Sequence, residues 1–265
     1  MDPVTIRFAG AVQAAASDGT TVWCAVAGRL LTYDARGRAI GDLPAPAGPR
    51  SLAVMGETLV AAAGHDLLWL EARTGARLAR TSIGRPVTLA AAGGTAWAVD
   101  PSGEQAWRLG PAGDRPERVS LPGLERWAVA EDGFWWTSRL DRRLHEGDRL
   151  VEVGAEGGGG MCVCAGSVWI STAHGLERVG TWSARPGPPI GLPLAPLSFL
   201  VCAGGVLVGA HERDGFVVLD PATDTAPRLL PLRVPGGLDA LVPTVSTAWA
   251  MAADRTAALI LPLRP

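Results

Sequence analysis

The chain has 265 residues, of which 48% are hydrophobic, and its formal net charge is −2. This length and apolar content allow a large buried core. The arginines are scattered along the chain and balanced by acidic residues, so the sequence gives no sign of a basic patch that would bind nucleic acid. No apolar run approaches the roughly 20 residues of a membrane helix. We therefore expect neither nucleic acid nor a membrane as a partner.

A glycine-containing turn followed by a short apolar run recurs along the chain at intervals of about 40 residues. The recurring apolar position is occupied by Trp23, Val60, Trp97, Trp136, Trp169, Val208 and Trp249. Four short strands fit within each interval, and the second unit predicts strands over 50–54, 58–63, 67–72 and 77–82. This pattern is typical of the blades of a β-propeller.

The two ends of the chain predict how the ring closes. The last unit, 238–263, ends after its third strand, and residues 4–8 have the composition to supply the fourth. Joining the ends in this way leaves no open sheet edge. We therefore predict an all-β protein in one domain, 1–265: a seven-bladed β-propeller of four-stranded blades, closed by the N-terminal strand. The short interval between Trp136 and Trp169, with glycines at 157–160, predicts a shortened or irregular outer strand in the fourth unit.

The cysteines give no sign of a structural metal site. The N-terminal residues give no sign of secretion. Cys164 and Cys202 both precede an AlaGly turn, so we interpret them as small buried residues of inner strands. The CxxC spacing of zinc sites is absent. The first residues, MetAspProValThrIleArg, lack the basic and apolar regions of a secretory signal. We expect a cytoplasmic monomer.

Polar residues concentrate on one predicted face of the ring. In a propeller, the connections between second and third strands emerge on the same face as the connections between blades, and we call this the polar face. Three of the four histidines, His65, His174 and His211, fall at equivalent second-to-third-strand connections. The turns of the other face are mostly plain glycine turns. The asymmetry predicts that the polar face carries the function.

The residue types on the polar face suit acid/base chemistry. Such chemistry needs an imidazole that titrates near neutral pH, a carboxylate that orients it, and a cation for a developing anion. The candidate catalytic residues are His65, His174, His211, Asp100, Glu212 and Arg139. The candidate substrate-binding residues, at inner-strand starts and inter-blade connections, are Arg50, Arg126, Trp127 and Asp239.

The glycine turns followed by ValTrp or AlaTrp, and AspProAlaThrAsp after PheValValLeu at 216–219, resemble the virginiamycin B lyase group and the related NHL and YVTN propellers. This resemblance implies the scaffold along the whole chain. Lyases of that group open a cyclic depsipeptide by metal-assisted elimination, using a His at an inner-strand start and acids at the third position after the Trp. Here the inner strands begin ArgSerLeu, ValThrLeu and ArgTrpAla, and that third position is acidic at Asp100 alone. The lyase mechanism therefore does not carry over.

Two hypotheses of different class remain after these observations. The favoured one is a lyase, cyclase or isomerase of bacterial secondary metabolism that acts on a small molecule or modified peptide. The alternative is a non-catalytic propeller that binds a protein or peptide on the same face. The sequence requires no cofactor, although Asp, Glu and His from several blades are donors that suit a divalent cation, Mg or Ca.

Overall fold

The fold is described from a computed structural model. It covers residues 3–45, 48–100, 102, 105–131, 133–153, 159–183, 185–192, 194–211, 215–223 and 226–263. These residues form seven antiparallel sheets arranged as the blades of a propeller, which confirms the predicted fold class. Nowhere in the described ranges does a helix have the length and apolar character to cross a bilayer.

The strands of the first three blades follow one another along the chain after the N-terminal strand β1 (Val4–Arg7). Blade 1 contains β2 (Val12–Ser17), β3 (Thr21–Val26), β4 (Arg29–Asp34) and β5 (Ala39–Pro44). Blade 2 contains β6 (Ser51–Met55), β7 (Thr58–Ala63), β8 (Asp66–Glu71) and β9 (Arg77–Ser82). Blade 3 contains β10 (Thr88–Ala92), β11 (Thr95–Val99), β12 (Gln105–Leu109) and β13 (Glu117–Ser120).

The remaining four blades continue in the same order. Blade 4 contains β14 (Leu124–Val129), β15 (Phe134–Ser138), β16 (Arg143–Glu146) and β17 (Arg149–Glu152). Blade 5 contains β18 (Met161–Cys164), β19 (Ser167–Thr172) and β20 (Gly175–Gly180). Blade 6 contains β21 (Phe199–Ala203), β22 (Val206–His211), β23 (Gly215–Leu219) and β24 (Arg228–Leu230). Blade 7 contains β25 (Leu238–Pro243), β26 (Thr247–Ala252) and β27 (Ala257–Pro262), with β1 as its outer strand.

The ring closes as the sequence predicts. Strand β1 pairs antiparallel with β27, and Val4 lies opposite Ile260 while Arg7 lies opposite Ala257. Ile6 of β1 packs on the core between blades 7 and 1. Seven apolar clusters make up the core, and one cluster lies between each pair of neighbouring blades. Each blade is therefore stabilised by both of its neighbours.

Blade 4 departs from the predicted register by one residue. The recurring Trp or Val of the other blades packs forward on the next blade, as Trp23 does on blade 2. In blade 4 the forward residue is Trp135, which is fully buried against blade 5. Trp136 therefore points back to blade 3, because a one-residue step along a strand moves a side chain to the opposite face. The assignment of Trp136 to the recurring apolar position was wrong, since Trp135 occupies it in blade 4.

Blade 4 has a short outer strand of four residues, against six in blades 1 and 2, and the irregular blade is the fifth. Strand β17 completes blade 4 with four paired positions. In blade 5 the third strand β20 instead meets Pro186 and Ile190 through isolated bridges, at Val179 and Leu176. Of the glycines noted at 157–160, the first two lie outside the described residues.

A disulfide joins the innermost strands of blades 5 and 6. It links Cys164 to Cys202, whose Cα atoms are 5.3 Å apart. The expectation that these are merely small apolar residues was therefore wrong. Cys24 and Cys162 are free and buried, and burial raises the pKa of the Cys24 thiol to about 12.

Candidate functional site

The three histidines of the polar face lie on three different blades. His65 and His174 occupy tight turns after β7 and β19, and both side chains are exposed. His211 is the last residue of β22 and is half-buried. Each histidine thus lies at the predicted connection, in blades 2, 5 and 6, and His211 alone of the three is withdrawn from bulk solvent.

His211 borders a cavity of about 540 Å³ between blades 6 and 7. Arg233 and Val234, from the connection that enters blade 7, line the same cavity, and Phe216 and Leu238 supply apolar wall. The cavity combines an imidazole and a guanidinium with apolar surface. Glu212, the predicted partner of His211, lies outside the described residues.

Asp100 is held in an ion pair at the start of the connection after β11. Its carboxylate lies 2.6 Å from Nη1 of Arg85 and accepts a hydrogen bond of 2.8 Å from the backbone N–H of Ser102. Burial alone would raise the pKa of Asp100, but the hydrogen bonds from Ser102 and Arg85 and the charge of Arg85 outweigh it, so the pKa is lowered. Asp100 is therefore ionised at neutral pH and is a poor proton acceptor.

Arg126 and Trp127 lie within the inner strand β14 and face neighbouring blades. Arg126 is buried, and its guanidinium donates to the backbone carbonyl of Ser171 in blade 5 at 3.3 Å. Trp127 is half-buried and stacks on Phe134 with ring centroids 5.9 Å apart. Their role in substrate binding stays a prediction, and both have structural contacts that account for their positions.

Arg139 begins the connection after β15 and its side chain is exposed. Its backbone N–H donates to the carbonyl of Gly123 at 2.9 Å. This contact fixes the connection against the start of blade 4 and leaves the guanidinium at the surface of the polar face.

Arg50, Asp239 and Arg255 meet at the mouth of the central channel, where blades 7, 1 and 2 adjoin, and we call this group the channel-mouth cluster. All three line a cavity of about 180 Å³ together with Gln13. Arg50, Arg255 and Gln13 also line an adjoining depression of about 540 Å³. Two of the predicted substrate-binding residues, Arg50 and Asp239, are thus brought together.

Arg255 is fixed in position by three polar contacts. Its Nε lies 2.9 Å from Oδ2 of Asp239, and its Nη2 donates to Oδ1 of the same carboxylate at 3.2 Å. Its Nη1 donates to the backbone carbonyl of Gln13 in blade 1 at 2.9 Å. The two-pronged pairing with a carboxylate is the most oriented arrangement that a guanidinium adopts. Arg255 therefore ties blade 7 to blade 1 across the channel mouth.

Local backbone irregularities create this cluster. A bulge at the start of β25 leaves Asp239 unpaired in the strand ladder, and a matching bulge at the start of β2 leaves Gln13 unpaired. Bulges re-aim side chains in this way at the rims of sheets. Arg255 has a φ of 58°, which is uncommon for a residue with a side chain. Its backbone carbonyl accepts a hydrogen bond from Val12 of blade 1 at 2.8 Å.

The sequence placed AlaAspArg at 253–255 in a polar-face connection but did not single out Arg255. The available signal was its position in the connection next to the closing strand. The left-handed backbone conformation that turns Arg255 toward Gln13 has no signature in the residue types.

The described residues do not fit a metal centre. Among them, no group of three or more His, Cys, Asp or Glu side chains is close enough to hold a metal ion. Asp239, which lines the channel-mouth cavity, and Asp100 each face an arginine. These residues therefore provide no set of donors for Mg or Ca.

Neither a family model nor a curated protein matches the chain. Solved structures do match it along its length. A catalytically inactive virginiamycin B lyase from Staphylococcus aureus, determined with quinupristin, has 14% identity, covers 99% of both chains and gives a TM-score of 0.75. The β-propeller domain of Cps50 (Swd1) from Myceliophteria thermophila has 12% identity, covers 99% of this chain and 100% of its own, and gives 0.75.

The WD40 repeats of RRP9 also match, with 12% identity, coverage of 99% and 98%, and a TM-score of 0.70. At these identities the likeness shows the fold alone. The chain shares the propeller scaffold with a lyase and with WD40 proteins, and the scaffold-level resemblance to virginiamycin B lyase is confirmed.

Proposed function

We propose that the polar face binds a small molecule or peptide through a carboxylate, and that the channel-mouth cluster is the site that holds it. The observation that carries this proposal is the uncompensated charge of the Arg50 guanidinium. Its side chain is exposed in the depression at the channel mouth, and within the described residues it has no ion pair. A guanidinium presents several N–H donors in a plane, which suits a carboxylate.

Arg255 supports the same ligand in a different way. Its charge is largely compensated by Asp239, so it adds hydrogen-bond donors in a fixed place but little net charge. The cluster thus carries one excess positive charge, which comes from Arg50. A monoanionic ligand group compensates this charge, and the orientation of Arg255 lowers the entropy cost of binding it.

Acid/base catalysis on the bound ligand is the second candidate, and the cavity beside the cluster favours it. Leu238 lines the His211 cavity, and the next residue, Asp239, lines the channel-mouth cavity. A ligand held by Arg50 would therefore have His211 on the adjoining side of β25. His211 would remove a proton from the ligand as a general base, and Arg233 would stabilise the anion that forms.

The binding proposal is tested with N-acetyl-alanyl-alanine and its C-terminal amide. Arginine Nε–H signals in ¹H–¹⁵N spectra report the two guanidinium groups. We expect the acid to shift the signals of Arg50 and Arg255, and the amide to leave them in place. Arg50→Gln should abolish the response of Arg255, whereas Arg36→Gln, which removes an exposed arginine of the opposite face, should preserve it. Equal responses to acid and amide would contradict the proposal.

The catalytic candidate is separated from binding by His211→Gln. We expect this variant to bind the acid probe as the wild type does, because His211 is not part of the channel-mouth cluster. If the protein is an enzyme, a carboxylate in a metabolite extract is consumed by the wild type and not by His211→Gln. If no component is consumed, the function is binding alone.

A further inference from the structure

A further cavity opens on the face opposite the polar face, between blades 3 and 4. Its volume is about 510 Å³, within the range of small-molecule sites. Thr95 and Ala130, at the first-to-second-strand turns of the two blades, mark its position on that face. We call it the inter-blade cavity. Neither the channel-mouth cluster nor His211 contributes to it.

Three aromatic rings form the inner wall of the inter-blade cavity. Trp97 comes from blade 3, and Phe134 and Trp136 come from blade 4. Trp97 and Phe134 meet across the blade boundary with ring centroids 4.8 Å apart. Trp136 is held in place by His145, whose ring stacks on the indole with centroids 4.0 Å apart. The wall exists because the one-residue shift of blade 4 turns Trp136 toward blade 3.

The two indole N–H groups of this wall have no hydrogen-bond partner in the part of the chain that the structure describes. Trp23, Trp169 and Trp249 donate their indole N–H to backbone carbonyls. Trp97 and Trp136 have no such partner within the described ranges, although each side chain is more than nine-tenths buried. Neither N–H group is fully enclosed, because the fully enclosed side-chain atoms without a partner in those ranges belong to other residues. Both donors are therefore not fully enclosed, and they belong to residues that line the cavity, which suits an acceptor on a ligand.

The outer part of the cavity is acidic. Its lining includes Glu117, Glu131 and Glu146 against a single cation, Arg108. Glu131, from blade 4, packs over Gly93 of blade 3, where an added Cβ would clash with it. Glu131 therefore spans the boundary between the blades. Its carboxylate has no ion pair in the part of the chain that the structure describes.

Glu146, by contrast, forms an ion pair with Arg149. Its Oε2 lies 3.0 Å from Nη1 of Arg149. Its Oε1 lies on the side of Gly133, which also lines the cavity. Arg149 compensates the charge of Glu146, so the excess negative charge of the cavity comes from Glu117 and Glu131 against Arg108.

We propose that the inter-blade cavity binds an organic cation: a guanidinium or ammonium group on an aliphatic stem with a carbonyl nearby. Aromatic walls and carboxylates both attract such a cation, and desolvation strengthens the contact with the rings. The aliphatic stem packs on Trp97 and Phe134, and the carbonyl accepts from an indole N–H. This is the chemistry of an arginine or lysine residue in a peptide, and also that of a free alkylguanidine.

The proposal is tested by following the indole N–H signals of the ten tryptophans. Trp97→Phe and Trp136→Phe assign the two signals of the cavity. The probes are N-acetyl-arginine methylamide, butylguanidine and, as the uncharged control, N-acetyl-citrulline methylamide. We expect the arginine probe to shift both signals and the citrulline probe to leave them unchanged. Stronger binding of the arginine probe than of butylguanidine indicates a peptide ligand, and equal binding indicates a small cation.

Substitutions of two exposed residues must change the affinity for the arginine probe in opposite directions. Glu131→Gln should weaken binding of the arginine probe roughly three- to tenfold, the range of a partly exposed charge contact. Arg108→Gln removes the competing cation and should strengthen it. Glu57→Gln, in the equivalent turn of blade 2, is the matched control and should have no effect. The proposal is overturned if no cavity signal moves, if citrulline binds as well as arginine, or if Arg108→Gln weakens binding.

Discussion

The ion pair of Asp100 gives a stability prediction that separates buried from exposed pairs. In Asp100→Asn the side chain keeps an oxygen that can accept from Ser102, but the charge that faces Arg85 at 2.6 Å is lost. A hydrogen bond to a charged group contributes about 1.5–3 kcal/mol. Because the Arg85 side chain is 42% exposed, solvent screens part of this. We expect a loss of about 1–2 kcal/mol in the free energy of unfolding.

The assay is urea unfolding followed by tryptophan fluorescence, with Asp42→Asn as the control. Asp42 pairs with Arg29 at a similar distance, 2.7 Å, but both side chains are more than half exposed. Removing that charge should leave the free energy of unfolding unchanged within error. If the two substitutions lower the free energy of unfolding equally, burial does not strengthen the contribution of the Asp100 ion pair, and the reasoning is refuted.

The dependence on pH gives a second check of the same prediction. The pKa of Asp100 is lower in the folded than in the unfolded protein. Its contribution to stability is therefore fully present above the unfolded pKa, about 3.9, and is lost as pH falls through the folded pKa. The difference between wild type and Asp100→Asn should be constant from neutral pH to about pH 5 and should shrink below about pH 4. A difference that grows on acidification would contradict it.

Three further predictions concern the ring. Deleting residues 1–8 should expose the edge of β27 and cause aggregation, which light scattering measures; a soluble, equally stable truncation would argue against closure. Cys202→Ser should cost up to about 4 kcal/mol in the chain-entropy picture, measured by urea unfolding, and thiol titration of the unfolded wild type should find two free thiols rather than four. Trp169→Ala should cost about 3–5 kcal/mol, measured by urea unfolding, and a loss near zero would show that it does not fill the core between blades 5 and 6.

The ring could be predicted because it depends on local patterns that repeat. The second strand of blade 2 was predicted at 58–63, and β7 spans Thr58–Ala63. The closing strand followed from the missing fourth strand at the C-terminus. Such features require only the alternation of apolar residues and the glycine turns, which are present in each unit.

The candidate site was harder to predict because it depends on contacts between blades. Arg126 lies near the start of an inner strand, as expected, but the contact of its guanidinium with Ser171 of the next blade has no signal in the sequence. The register of blade 4 was ambiguous because Trp135 and Trp136 are adjacent and both are apolar. The Cys164–Cys202 bond had a usable signal, since the two residues occupy equivalent positions in neighbouring blades.

The disulfide also bears on the compartment. Such bonds persist in oxidising environments and are rare in the cytosol, whereas the N-terminal residues led us to expect cytoplasm. The two indications differ because the disulfide is a contact of the folded protein, whereas the N-terminal argument uses only the first seven residues. The compartment stays a prediction, and thiol titration of the protein taken directly from its host distinguishes the two.

The most direct test of the proposed function is a calorimetric cycle. Binding of N-acetyl-alanyl-alanine and of its amide is measured for the wild type and for Arg50→Gln. If Arg50 holds the carboxylate, the substitution weakens binding of the acid and leaves that of the amide unchanged, so the two effects are coupled. If Arg50→Gln changes both affinities equally, or neither, the channel-mouth cluster does not recognise a carboxylate and the account of the polar face is wrong.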